Sequence, residues 1–296
     1  MKLRMKAVVA LLSVGALALS ACGSDSLSGD APGSAAPTSE VKVNEELAAK
    51  LPQKIKDSGT ITVGTDASYA PNEFLDPDGK TVVGMDVDLF NAVAAKLGVT
   101  VDWQPSSFDS IIVGVQSGKY DMGISSFTIN DKRKEQVNMV SYFSAGTQWA
   151  TQPGNPKKVD IDNACGKNIA VQNATTQQED DLPVKQKACG SDKIKILPFD
   201  GQDQATAAVA TGRADAMLAD SPVIAYAVKT SEGKLEALGD IYDAAPYGYV
   251  IKKDETEFAQ VVADALKEIK SEGQYDAALK KWGVEAGAIS DFAVNP

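Results

Sequence analysis

The sequence predicts an α/β fold in two similar lobes, each a mostly parallel sheet flanked by helices. Short β-rich segments alternate with amphipathic helical segments from residue 54 onward, which is typical of parallel sheets covered by helices. A string that ends a helix and begins a strand occurs twice, at residues 116–122 (QSGKYDM) and 210–216 (ATGRADA). The length of 296 residues is sufficient for one large or two modest domains.

Hydrophobic periodicity places the elements of the first half in order. The alternating residues 61–65 predict a strand, and the turn sequence at 76–79 (DPDG) with residues 81–83 behind it predicts a hairpin. Apolar residues then recur on one face of the next segment, which ends at Gly98. We predict helices over 86–97 and 108–116, and strands over 99–103 and 121–125.

The second half repeats this order. We predict strands over 168–172, 193–199 and 214–219, with a helix over 202–210 that ends at Gly212. Residues 257–270 have the clearest helical pattern in the chain, because their apolar positions follow i, i+3, i+4, i+7 spacing. Gly273 ends this helix, and a second short helix is predicted over 275–282.

Composition excludes several classes of function. The net charge of −11 leaves no basic surface for nucleic acid, so no nucleic-acid partner is expected. The chain contains no histidine, which excludes Ser-His-Asp and Cys-His catalysis and removes the commonest metal ligand. Lysine, tyrosine or paired carboxylates could still perform chemistry. No GxxxxGK[ST] or GxGxxG phosphate loop is present, and we predict no cofactor and no metal site.

The N-terminus has the composition of an export signal. Basic residues lie within 1–6, an apolar run covers 7–19, and small residues precede Cys22 in a string that resembles a lipobox. We predict a lipoprotein signal peptide over 1–21 and a lipid anchor on Cys22, the alternative being a plain secretory signal with a chance cysteine. A flexible tether is predicted over 22–50, because residues 23–40 are rich in Gly, Ser, Ala and Pro.

Two cysteines, Cys165 and Cys189, remain after Cys22. In an exported chain, an even pair with no cysteine left over predicts a disulfide. The alternative is two free buried thiols.

Candidate binding residues follow from the rule that ligands bind beyond the carboxyl ends of strands in open α/β sheets. Four predicted strands end in small polar clusters of hydroxyl, amide and carboxylate groups, which suit a small zwitterion better than a nucleotide. The residues in these clusters are Asp66, Tyr69, Ser125, Ser126, Thr128, Thr175, Thr176, Gln177 and Asp220.

Three motifs connect the chain to a known family. Residues 84–89 (GMDVDL) are similar to the signature G-[FYIL]-D-[LIV]-D-[LIVMF], and residues 66–71 (DASYAP) and 121–133 (DMGISSFTINDKR) are also typical. The chain resembles the family 3 extracellular solute-binding proteins over about residues 54–285. It departs from the family pattern at Met85, a packing position, and at Asn72, where an aromatic residue is frequent.

The resemblance implies a type II periplasmic-binding-protein-like fold with two hinge crossings, near 142–149 and 243–249. Lobe 1 would comprise 54–143 plus 248–296, and lobe 2 would comprise 150–243. It also implies a monomeric, lipid-anchored substrate-binding component of an ABC importer at the outer face of the cell membrane. This protein would capture a polar L-amino acid by hinge closure and would not be an enzyme.

The resemblance also assigns roles in the site. Arg133 would bind the ligand α-carboxylate with Thr128 and Thr176, and Asp220 would accept the α-ammonium group with help from Ser126. A second set would contact the ligand side chain, with two aromatic rings around it and three polar groups at its end: Tyr69, Phe108, Asp66, Gln172 and Gln177. Asp66 favours a cationic ligand such as arginine, lysine or histidine, whereas the two glutamines suit glutamine.

Other interpretations remain open for these residues. Arg133 lies in a charged run that is usually a solvated helix face, and Asp220 could cap the following helix. Tyr69 and Phe108 could be core residues. The alternative functions are an amino-acid-sensing binding protein and an enzyme of the cyclohexadienyl dehydratase type on the same fold.

Overall fold

A computed structural model describes residues 41–296. The predicted signal peptide, Cys22 and residues 23–40 of the predicted tether lie outside this range. Helix α1 (Glu45–Ala49) begins after Asn44, whose side chain accepts two backbone N–H bonds, and Leu47 is buried in the core. Helix formation and burial therefore place residues 44–50 in the folded body, and the prediction of a flexible tether up to residue 50 is wrong for this part.

The remaining described elements alternate as predicted. In chain order they are α2 (Gln53–Ser58), β1 (Thr60–Thr65), β2 (Ser68–Tyr69), β3 (Glu73–Leu75), β4 (Val82–Val83), α3 (Met85–Lys96), β5 (Thr100–Pro105), α4 (Phe108–Gln116), β6 (Met122–Gly123), α5 (Asp131–Lys134), β7 (Val137–Thr151), β8 (Asn168–Gln172), a π-helical turn (Gln177–Asp181), α6 (Leu182–Lys187), β9 (Lys195–Phe199), α7 (Gln202–Ala210), β10 (Ala216–Asp220), α8 (Ser221–Thr230), β11 (Glu236–Lys252), α9 (Thr256–Ser271), α10 (Gln274–Trp282) and a 3-10 turn (Glu285–Gly287).

The large sheet has the strand order β5-β1-β6-β11-β7-β10-β8-β9. On one side β5, β1 and β6 pair in parallel, and on the other side β10, β8 and β9 pair in parallel. The pairs that join these sides to the central strands, β6 with β11 and β10 with β7, are antiparallel. A small antiparallel sheet of β2, β3 and β4 follows β1. Each side of the large sheet is therefore mostly parallel, as the strand–helix alternation predicts.

The two central strands, β7 and β11, are much longer than the others and pair antiparallel with each other. They contain the stretches predicted as crossings, 142–149 and 243–249. Their pairing shifts register at three places, the last of which lies between Tyr247 and Gly248. Sequence pattern did not predict these strands. β7 is buried along nearly its whole length and so shows little alternation of apolar and polar residues, whereas the first half of β11 is largely exposed and lacks a buried face.

Helices cover the sheet because each presents an apolar stripe to it. The α9 face predicted from spacing is buried, and it packs with α3, α10 and the sheet in one hydrophobic cluster. A separate cluster around Met217 and Ile224 lies between α7, α8 and the far strands. Within residues 41–296, no helix is both long and apolar enough to cross a bilayer.

The strand predicted over 121–125 is shorter than expected, since only Met122–Gly123 pairs as β6. The chain leaves the ladder after Gly123, and Ser126 adopts a positive φ of 52° that bends the backbone. Cys165 and Cys189 are disulfide-bonded, with Cα atoms 5.2 Å apart. The disulfide prediction is confirmed, and the alternative of free thiols is wrong.

Candidate ligand-binding site

A narrow pocket lies between the ends of the strands, and about 280 Å³ of space free of atoms lies within it and its opening to solvent. Strand β1 from one side of the large sheet and strands β8 and β10 from the other side end at this pocket. Within each side, parallel strands present their carboxyl ends at the same edge, and the two sides run in opposite directions. The pocket is lined by Asp66, Tyr69, Phe108, Ser125, Ser126, Thr128, Arg133, Gln172, Thr175, Thr176, Gln177 and Asp220. These are the twelve residues predicted from the sequence, and the structure brings all of them together.

Arg133 is buried on the short helix α5, which begins after Asn130; the Asn130 side chain accepts a bond from the Arg133 N–H. Its Nη1 donates to the Thr128 carbonyl at 2.8 Å and its Nη2 to the Ala174 carbonyl at 3.1 Å. Residue Arg133 is only 8% exposed, whereas the side chain of neighbouring Lys132 is 65% exposed. The interpretation of Arg133 as a solvated helix residue is therefore wrong.

The charge of Arg133 has no carboxylate partner in the described part of the chain, where no acidic oxygen lies within 4.0 Å of the guanidinium. Its guanidinium carbon lies 5.5 Å and 5.3 Å from the ring centres of Phe108 and Phe127. Burial lowers the pKa of Arg133, although an arginine remains charged at neutral pH. A buried cation held by two carbonyls and two rings retains the capacity to bind an anion.

Asp220 is buried at the end of β10, and it precedes helix α8 without making a side-chain capping bond. Its carboxylate accepts from Gln177 Nε2 at 2.8 Å and from the Tyr247 hydroxyl at 2.7 Å. Burial raises the pKa of Asp220, while these hydrogen bonds and the charge of Arg133 act in the opposite direction. The interpretation of Asp220 as a helix cap is therefore wrong for its side chain, which lines the pocket.

Asp66 is the second carboxylate of the pocket, at the end of β1. It accepts from Ser68, from the Phe108 N–H at 3.1 Å and from Gln172 Nε2 at 3.2 Å. Burial raises its pKa, and the hydrogen bonds from Ser68 and Phe108 lower it. Gln172 also donates to the Asp200 carbonyl at 3.2 Å, so this amide is held on two sides.

Both predicted aromatic residues line the pocket and also pack against protein groups. Phe108 stacks on Phe127 with ring centres 4.5 Å apart. The Tyr69 hydroxyl accepts from the Asp220 N–H at 3.2 Å. Each ring therefore packs against the protein on one side and faces the pocket on another. Being a core residue does not exclude Tyr69 or Phe108 from contact with a ligand.

The hydroxyl and amide residues are ordered by neighbouring groups. Thr175 Oγ1 donates to the Gln172 carbonyl at 2.8 Å, and Gln177 Nε2 donates to Thr147 Oγ1 at 3.1 Å as well as to Asp220. Thr128 and Thr176 are only partly buried in the pocket wall. Between residues 41 and 296, no group of three acidic, cysteine or histidine side chains could hold a metal ion.

Sequence reasoning missed several residues that support the site. Tyr247 lies in the second predicted crossing and donates to Asp220, and Phe127 packs against both Phe108 and Arg133. Glu73 and Asp86 are buried behind the pocket. The contact of Tyr247 could have been predicted, because Tyr247 is a tyrosine within the predicted crossing at 243–249. Nothing in the local sequence indicates that Glu73 is buried.

A comparison with protein families decides the identity of the fold. The profile of the bacterial extracellular solute-binding proteins, family 3, matches residues 61–285. The chain belongs to this family. The resemblance seen in the motifs is confirmed, and so is the role of a solute-binding protein.

Individual relatives of this family 3 solute-binding protein agree. It is 35% identical to the arginine-binding protein ArgT of Corynebacterium glutamicum, over 84% of this chain and 83% of the relative. An ancestral arginine-binding protein bound to arginine superimposes with a TM-score of 0.71 and 35% identity, covering 76% of this chain and 98% of the other. An ancestral amino-acid-binding protein described as a precursor of cyclohexadienyl dehydratase gives a TM-score of 0.69 and 35% identity, covering 77% and 97%. The fold is thus the type II periplasmic-binding-protein fold.

Proposed function

We propose that this solute-binding protein captures a basic L-amino acid, with arginine as the first candidate, and delivers it to an ABC importer. The observation that carries the proposal is a buried cation, Arg133, and a buried anion, Asp220, in the wall of one pocket. An amino acid carries the two opposite charges on one carbon and so pairs with both. The similarity to the arginine-binding protein ArgT and to an ancestral protein bound to arginine supports arginine.

Each pocket residue has a proposed task. Arg133 binds the α-carboxylate with Thr128 and Thr176, because a planar guanidinium matches carboxylate geometry. Asp220 accepts the α-ammonium group, with Ser126 beside it. The remaining residues enclose the side chain and read its polar end: Asp66, Tyr69, Phe108, Ser125, Gln172, Thr175 and Gln177. Buried Asp66 favours a positive charge at that end, which supports a basic ligand over glutamine.

The ligand closes two lobes around itself, with lobe 1 at 54–143 plus 248–296 and lobe 2 at 150–243. Contacts between these ranges already surround the pocket. Gln172 contacts Asp66, Asp220 contacts Tyr69, and Lys132 forms an ion pair with Glu179 in a neighbouring cavity that shares Arg133 and Thr176 with the pocket. The register shifts of β7 and β11 lie near the proposed crossings. A ligand that touches both lobes favours the closed form by its differential affinity.

The protein is exported and held at the outer face of the membrane by a lipid on Cys22, and it acts as a monomer. The family is extracellular, which supports export. Replacing Cys22 with alanine is expected to release the protein from membrane fractions, as fractionation and intact mass measurement would detect.

The protein binds its ligand without converting it. The carboxylates of the pocket are engaged by fixed donors, which suits them to charge recognition rather than to proton transfer. One structural relative is described as a precursor of a dehydratase, so turnover is worth measuring. Magnetic resonance of bound and released L-arginine is expected to show unchanged ligand after prolonged incubation.

Titration calorimetry of the purified protein against the common L-amino acids tests the proposal. Wild type is expected to bind a basic amino acid, and Arg133→Ala is expected to lower that affinity by two orders of magnitude or more, because it removes a charge-assisted bidentate contact. Arg213→Ala is the matched control, since Arg213 is exposed and contacts Phe199 outside the pocket. Equal affinity of wild type and Arg133→Ala would overturn the assignment.

A further inference from the structure

Two acidic side chains lie directly behind the pocket without lining it. Glu73 on β3 and Asp86 in the first turn of α3 are both 0% exposed, and each acts on the pKa of the other. No lysine or arginine within residues 41–296 forms an ion pair with either of them. Two buried carboxyl groups without a cationic partner strongly constrain the hydrogen bonds of the groups that they contact.

Both pocket serines turn their hydroxyl hydrogens toward Glu73. Ser125 Oγ donates to Glu73 Oε1 at 3.3 Å, and Ser126 Oγ donates to Glu73 Oε2 at 3.2 Å. The same serine oxygens accept from the Asp66 N–H at 3.0 Å and from Asn72 Nδ2 at 2.9 Å. A hydroxyl has one hydrogen and two lone pairs, so each serine keeps only a lone pair for a further partner.

The hydrogen bonds of Asp86 indicate a proton shared with Glu73. Asp86 Oδ2 accepts from the Tyr142 hydroxyl at 2.6 Å and from the Ser126 N–H at 3.3 Å, whereas Asp86 Oδ1 is buried without a protein donor in the described chain. Two adjacent buried carboxylates cannot both ionise, and a proton on Glu73 supplies the missing donor. In agreement, burial raises the pKa of Glu73 well above its usual value.

We propose that Glu73 determines the hydrogen-bonding character of the pocket floor. By accepting both serine hydrogens, it leaves Ser125 and Ser126 as acceptors only, and the floor therefore selects ligands that present N–H donors at this place, such as ammonium and guanidinium groups. Glu73 is a positioning residue, because it acts through the serines. The inference rests on the proposed function, since it concerns the same pocket.

The substitution Glu73→Gln tests this role. Ser125 and Ser126 donate to different oxygens of Glu73, and in glutamine one of those two positions is an NH₂ group that donates instead of accepting. One serine hydrogen must then turn toward the pocket and meet the ligand N–H. By titration calorimetry, the affinity for L-arginine is expected to fall at least tenfold, whereas Glu257→Gln, which changes an exposed glutamate on α9, leaves the affinity unchanged.

A double-mutant cycle separates this role from general damage to the site. With Ser125→Ala and Ser126→Ala combined, the hydroxyls are gone, and adding Glu73→Gln is expected to change the affinity for L-arginine by less than threefold. A distortion of the pocket would instead give the same loss in both backgrounds. Equal losses would overturn the proposal.

The remaining outcomes also decide the matter. If wild type binds no amino acid, the proposed function fails, and the inference fails with it. If wild type binds L-arginine and Glu73→Gln binds it equally well, only the inference fails. Should Glu73→Gln not fold, the serine variant alone decides: at least a tenfold loss of affinity for L-arginine supports acceptor serines, and unchanged affinity rejects them.

Discussion

The Asp220 side chain is fixed by hydrogen bonds, and its negative charge is nevertheless not paired with a cation of the described chain. Gln177 and Tyr247 each donate to it, yet the cation Arg133 is too far away to form an ion pair. The negative charge is therefore only partly compensated inside the protein. In the proposed function a ligand ammonium group would complete that compensation, and this would account for a buried carboxylate at a position where burial raises the pKa of Asp220.

We expect Asp220→Asn to weaken binding of a basic amino acid by about 10- to 100-fold, because a charge-assisted hydrogen bond contributes roughly 1.5–3 kcal/mol. The amide keeps the shape of the carboxylate, so the folded structure is expected to persist. Titration calorimetry checks the affinity, and Asp57→Asn, which changes an exposed aspartate on α2, serves as the control. Equal dissociation constants for wild type and Asp220→Asn would contradict the role of its charge.

Gly84 illustrates a backbone requirement at the start of α3. Its φ is +143°, and a Cβ there would lie 2.1 Å from the Asn72 carbonyl oxygen. The same backbone contact holds Asn72 and Glu73 against the pocket serines. This contact explains why the motif at residues 84–89 (GMDVDL) begins with glycine, since no other residue allows two backbone segments to approach so closely.

Gly84→Ala is expected to lower the free energy of unfolding by about 3 kcal/mol or more, through backbone strain and a clash with fixed backbone atoms. Gly79→Ala is the matched control: Gly79 also has positive φ, but a Cβ there would meet nothing within 4 Å. Strain alone gives that control a cost of about 1 kcal/mol. Urea denaturation measures the free energy of unfolding of both variants. Similar losses for Gly84→Ala and Gly79→Ala would contradict the predicted clash at Gly84.

At the scale of elements, the disulfide stabilises a region with few regular strands. Cys165 precedes β8 and Cys189 follows α6, and both lie in a hydrophobic cluster with Trp149 and Leu182. The bond closes a loop with a sequence separation of 24 residues. It therefore restricts the unfolded chain over the segment that carries Gln172, Thr175, Thr176 and Gln177.

Replacing both cysteines with alanine is expected to lower the free energy of unfolding by roughly 3 kcal/mol, from the loss of loop-closure restriction. Affinity for the ligand is expected to change little, since neither cysteine lines the pocket. Thermal unfolding with and without reductant checks the first effect, and calorimetry checks the second. Reductant is expected to lower the melting temperature of wild type. It should leave the melting temperature of the double-alanine variant unchanged, so this variant serves as the control.

For the whole molecule, the buried acidic groups predict an unusual response to pH. Burial raises the pKa of Asp86 from 3.8 to about 6, and it also raises those of Asp66, Glu73 and Asp220. Between pH 4 and 6 the folded state therefore holds protons that the unfolded chain has released. The slope of stability with pH has the sign of the unfolded minus the folded proton count, which is negative here.

The free energy of unfolding of the ligand-free protein is thus expected to fall as pH rises from about 4 to 6, opposite to the usual behaviour of salt-bridged carboxylates. Denaturation with urea across this range measures the slope. Glu73→Gln is expected to reduce it, whereas Glu257→Gln should retain the wild-type slope. A stability that rises over this interval would show that other charges dominate.

The sequence alone determined the alternation of strands and helices, because each element buries one face and the period of its apolar residues follows its geometry. It also determined which residues follow the strand ends, so that twelve pocket residues could be named from β1, β6, β8, β10 and the family motifs. The helices over 108–116 and 202–210 agree with α4 and α7 in both bounds. These features depend on neighbours along the chain.

Only the tertiary structure decided how those elements meet. Strands β7 and β11 join both sides of the sheet, and Tyr247 reaches Asp220 from one of them, although local pattern shows neither fact. Glu73 is polar and lies in a short hairpin strand, yet α3 and the serines bury it completely. Burial and hydrogen-bond partners depend on residues distant in sequence, and they decide whether a charged side chain is solvated or becomes part of a binding site.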